Sequence, residues 1–88
     1  MEFHLDISSE LINIKKVRSF LEEVFVNLNL EKTHFNRIFL CLSEAVSNAI
    51  IHGNQCVSCK KVSVSISHTN NFLTIEVIDE GVGFNVEM

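Results

Sequence analysis

The chain has 88 residues, 47% of them hydrophobic, and a formal net charge of -4 at pH 7. That length fits one small domain with one core, and the negative balance argues against a general nucleic-acid binder, which needs a basic patch to neutralise phosphates. Charges break the apolar runs well short of the roughly 20 residues of a membrane helix, and the start at Met1, Glu2, His4 and Asp6 lacks the basic and then apolar stretches of a secretory signal, so no membrane partner and a cytoplasmic location are expected.

Residues 2–7 alternate, with Phe3, Leu5 and Ile7 on one side and Glu2, His4 and Asp6 on the other, the period of a half-exposed strand. Ser8 or Ser9 is placed to cap a following helix, with Glu10 in its first turn, where the helix dipole favours an acid. Ile14, Val17, Leu21, Val24 and Leu28 then recur at helical spacing, widened by Phe20 and Phe25, which predicts a first helix over roughly residues 9–29. The cluster of Lys15, Lys16 and Arg18 reads as its solvated face.

After a short connection, Thr33 is the expected cap of a second helix that runs to about residue 51. Phe35, Ile38, Phe39, Leu42, Ala45, Val46, Ala49 and Ile50 share one arc of it at about 100° per residue, a core face. Gly53 is expected to stop this helix in the left-handed conformation that glycine tolerates. Beyond a polar loop, Val62, Val64 and Ile66 alternate with serines, and Leu73, Ile75 and Val77 alternate with Thr74 and Glu76. These are two strands, and Thr69, Asn70 and Asn71 between them suit a tight antiparallel reversal. The order strand, helix, helix, strand, strand predicts an α+β two-layer sandwich, a mainly antiparallel sheet with both helices on one face.

Glu44, Asn48 and His52 lie four residues apart on the second helix and form one polar strip, separate from the apolar arc. A solvated face explains such a strip in general. Asparagine is a poor interior helix former, however, and a purely solvating position is better filled by Lys, Gln or Glu. Asp79 is a second anomaly, since it continues the inward alternation of Leu73, Ile75 and Val77. A buried carboxylate needs a donor. Gly81 and Gly83 follow, a D-x-G-x-G pattern that permits a sharp turn and a close approach of backbone to a ligand. The three cysteines are an odd number and fit free thiols; Cys56 and Cys59 form a C-x-x-C pair without the further ligands of a zinc site, so a surface loop is expected there.

Together, L-S-E-A-V-S-N-A-I-I-H-G-N (42–54) and V-I-D-E-G-V-G-F (77–84) resemble two signature boxes of the ATP-binding fold shared by type II topoisomerases, a heat-shock chaperone class and sensor histidine kinases. The small anti-sigma-factor serine kinases are the branch it resembles most. The resemblance implies that Glu44 is catalytic, that Asn48 binds magnesium, and that Asp79 accepts a hydrogen bond from the adenine amino group while Gly81 and Gly83 let the chain pass close to the nucleotide. It implies ATP and Mg2+ as cofactors, a sigma factor and an anti-anti-sigma factor as partners, a possible homodimer, and serine/threonine kinase activity. The family also carries a later glycine-rich box that contacts the phosphates, so residues 1–88 are expected to form a single partial ATP-binding domain with adenine recognition but little turnover. A protein-interaction module and the nucleotide domain of a sensor histidine kinase are the competing readings.

Overall fold

The structure is a computed structural model that describes residues 1–55, 57 and 59–80, and the backbone of 84–87. Strand β1 (Glu2–Ser8) leads through a 3-10 turn at Leu11–Asn13 into helix α1 (Ile14–Leu28). A second 3-10 turn at Lys32–His34 opens helix α2 (Phe35–Asn48), which continues without a break as a π-helical turn, Ala49–Gly53. Strands β2 (Lys61–Thr69), β3 (Phe72–Ile78) and β4 (Phe84–Glu87) follow. All pairings are antiparallel in the order β1-β2-β3-β4.

The expected two-layer α+β arrangement is borne out. Inward residues Ile7, Val62, Val64, Ile66, Leu73, Ile75 and Val77 meet Val17, Leu21, Val24 and Phe25 of α1 and Phe35, Leu42 and Val46 of α2 in one core, with Ala49 and Ile50 of the π turn. Register is specified because a one-residue slip of any of these strands would turn its apolar set to the outer face. The β2–β3 reversal places Asn70 at φ 52° and Asn71 at φ 68°, the doubly left-handed pair of a two-residue hairpin whose twist matches its strands.

Several local expectations are corrected. Neither Ser8 nor Ser9 caps a helix: the Ser9 hydroxyl donates to the Lys60 carbonyl at 2.9 Å, and Asn13 Nδ2 donates to the Ser8 carbonyl at 3.1 Å and to Ser8 Oγ at 2.7 Å. With the serines engaged there, the chain makes a 3-10 turn first, Glu10 stays extended at φ -126°, and the α-helix starts at Ile14 rather than residue 9. Thr33 lies inside a 3-10 turn, with its hydroxyl donating to Glu31 Oε2 at 3.5 Å. Arg18 is exposed but not merely solvated, since its guanidinium sits 5.3 and 5.2 Å from the ring centres of Phe35 and Phe39. The fourth strand was not foreseen. Gly53 is not a left-handed stop either, because its φ is not positive; the left-handed residue is Gln55, at φ 53°.

Candidate functional site

Gly53 has a different reason to be glycine. A Cβ built on it would collide with Cγ and Oδ2 of Asp79 and lie 3.0 Å from Oδ1. The end of the π turn and the carboxylate after β3 therefore occupy adjoining space that only a missing side chain leaves open. Asp79 is 5% exposed, whereas its neighbour Ile78 is 44% exposed, so the acid keeps the inward phase of Leu73, Ile75 and Val77 and faces the helix layer. A carboxylate follows a row of core residues and ends against helix α2's extension.

Glu44 and Asn48 are both exposed, as is His52. Asn48 is the last residue of α2 and precedes the π turn directly; at 1.5 Å per residue Glu44 stands about 6 Å further up the axis. The π turn is closed by the Asn54 N–H donating to the Ala49 carbonyl at 2.8 Å, and such wide turns inside helices are frequent at functional sites. One helix thus carries an exposed carboxylate and carboxamide, and its end touches a buried carboxylate supplied by the sheet. Gly81 and Gly83 lie outside the described residues, as does Cys56; Cys59 is an exposed free thiol.

Sequence reasoning missed the group that fastens this corner. Asn54 is fully buried. Its Nδ2 donates to Ser9 Oγ at 2.7 Å and to the Lys61 carbonyl at 3.0 Å, and its Oδ1 accepts from the Glu80 N–H at 2.8 Å. The Lys61 N–H in turn donates to Glu80 Oε2. In sequence Asn54 sits at the start of a polar loop and belongs to no apolar period, so only its place next to Gly53 offered a signal. A concavity of about 590 Å3 lined by Arg18, Phe25 and Phe35 lies at the opposite end of α2 and holds none of the candidate residues. At the other end, Gly53 closely approaches the Asp79 carboxylate and the Asn54 carboxamide binds the next residue, Glu80.

The sequence matches the histidine kinase-like ATPase domain over residues 7–88. The chain belongs to the histidine kinase-like ATPase domain family. It is also similar to the anti-sigma F factor of Bacillus velezensis, 30% identical over 82 residues that are 93% of this chain and 56% of that protein. The anti-sigma F factor of Clostridium perfringens is 45% identical over 42 residues, 48% of this chain and 30% of that protein. The chain therefore spans about half the length of the first of these relatives. Among the described residues, no helix is long and apolar enough to cross a membrane.

Proposed function

We propose that this chain is an ATP-binding regulatory domain of the anti-sigma-factor serine kinase type, with Asp79 as the adenine-recognising acid. The observation that carries the reading is the contact of the buried Asp79 carboxylate with Gly53, which sets an acceptor at the end of the helix bearing Glu44 and Asn48. A carboxylate held in a largely water-free corner gains most from an amino donor such as the exocyclic group of adenine.

Asn48 offers a carbonyl oxygen on an exposed helix face, and Glu44 is on the same strip. Such hard oxygen donors fit magnesium, which keeps several waters and takes its remaining ligands from phosphate. Bound there, Mg2+ would neutralise charge on the phosphate oxygens. Glu44 would accept the proton of an attacking serine hydroxyl as its oxygen forms the bond to the transferred phosphorus and ADP leaves. Following the names of the relatives, we assign a sigma factor as protein partner; an anti-anti-sigma protein as phosphoryl acceptor, a homodimer and a cytoplasmic location complete the reading.

Calorimetric titration with ATP and Mg2+ tests it. Asp79→Asn is expected to weaken binding by about tenfold or more, the scale of one charge-assisted hydrogen bond. In a protein that also carries the phosphate-contacting glycine-rich box, Asn48→Ala should weaken the magnesium-dependent part by about tenfold, while Glu44→Ala should leave binding within about twofold and slow phosphoryl transfer by about a hundredfold or more. No binding of either ATP or ADP at millimolar concentration would contradict the proposal and favour a protein-interaction module. If Glu44→Ala abolished binding with transfer per bound ATP unchanged, the division of roles would be wrong.

A further inference from the structure

The two ends of the Asn54 amide do different things. Its nitrogen donates to Ser9 Oγ and the Lys61 carbonyl, which fastens the exit of β1 to the start of β2, while its oxygen takes the Glu80 N–H. That N–H belongs to the peptide leaving Asp79, so the hydrogen bond pins the backbone immediately after the buried acid. Through its own N–H to the Ala49 carbonyl, the same residue closes the π turn after Asn48. Asn54 thus joins the segment carrying the buried acid to the helix end that carries the exposed carboxamide. Its burial is complete, and water cannot take over for either end.

We infer that Asn54 is the positioning residue for base selection, holding the Asp79–Glu80 peptide so that the Asp79 carboxylate meets an amino group and not a carbonyl on the purine. The inference rests on the assignment of Asp79 to adenine, and it commits to a 6-aminopurine nucleotide over its 6-oxo counterpart. Ser9 belongs to the same network, but its hydroxyl bonds to Asn54 Nδ2 and the Lys60 carbonyl while the Glu80 N–H goes to Asn54 Oδ1, which separates positioning from general support: its loss should lower stability and leave selection intact.

The test is the ratio of ATP to ITP affinity, measured by titration of the full chain with Mg2+, beside its thermal midpoint. The native chain should prefer ATP by about tenfold or more. Asn54→Ala should bring the ratio close to one, mainly through lost ATP affinity. Asn54→Asp keeps the acceptor for Glu80 and should retain most of the preference, and Ser9→Ala should retain it despite a lower midpoint. A native ratio in Asn54→Ala, or an equal loss in Ser9→Ala, overturns the role of Asn54 and leaves the adenine assignment standing. A native chain that binds both nucleotides equally, or neither, overturns the adenine assignment and this inference with it. Should the Asn54 variants not fold, hydrogen exchange in the native chain decides: slow exchange of the Glu80 amide supports the clasp, and exchange at the unprotected rate overturns it.

Discussion

Helix α2 meets the rest of the molecule in two different ways at its two ends. At the N-terminal end Phe35 packs edge-on to Phe25, with ring centres 5.2 Å apart, and stacks with Phe39 at 6.0 Å, beneath the Arg18 guanidinium. At the C-terminal end the contacts are directional: Asn54, Ser9, Lys61 and Glu80 exchange hydrogen bonds around Asp79 and Gly53. Apolar packing holds a helix by area, and neighbouring side chains can repack when one changes. A buried polar network holds particular atoms in place and loses heavily when one partner goes. The aromatic end therefore anchors, and the polar end positions.

Phe35→Ala should produce the largest stability loss, about 3 kcal/mol by analogy with other buried phenylalanines. It should leave nucleotide affinity of the folded fraction within about twofold, since distant sites act independently. Thermal unfolding and ATP titration of the same sample check both halves. A large affinity loss in this variant would break the distinction between the ends.

Gly53→Ala should reverse that pattern. The added methyl group cannot share space with the Asp79 carboxyl, so the π turn or the acid has to shift, at about 1–3 kcal/mol. ATP affinity should fall by about tenfold or more, because the displaced group is the proposed base acceptor. A variant that binds ATP normally would show that this close approach is only packing.

The outer face of the sheet supplies the smallest effect, and it touches neither end. Asp6 accepts from the Ser63 hydroxyl at 2.5 Å and lies 3.0 Å from His4 Nε2. Chiefly the Ser63 hydrogen bond, with help from His4, holds its carboxyl below the usual aspartate range. The sign follows from linkage. The contribution of Asp6 is present above the ordinary carboxylate range and is lost as pH falls through the lowered value. Ser63→Ala should move the Asp6 titration back toward that range in an NMR experiment, with little change in stability at neutral pH. An unmoved titration would assign the shift to His4 instead.

The periodic part of the molecule was legible in the sequence. Val62, Val64, Ile66 and the run from Phe35 to Ile50 needed only their spacing to be placed on the core face, and Asp79 declared itself by keeping the inward phase of Leu73, Ile75 and Val77 with the wrong chemistry. Polar end groups were not legible. Ser9 looked like a helix cap because a serine before an amphipathic run usually is one, yet here its hydroxyl serves Lys60 and Asn54 across the chain. Gly53 was placed at the right boundary for the wrong reason, since its requirement comes from a residue 26 positions later. Asn54 carried no local sign beyond its place after Gly53 at the end of the first box, because its role lies in partners that only the fold brings together.

The most direct test of the difference between the ends is to record backbone amide shifts during titration with ATP and Mg2+. The account predicts that the largest changes fall on residues 48–54 and on Asp79 and Glu80, with Arg18, Phe35 and Phe39 nearly still. Saturable changes centred on Arg18 and Phe35, with Asp79 and Glu80 unmoved, would contradict it.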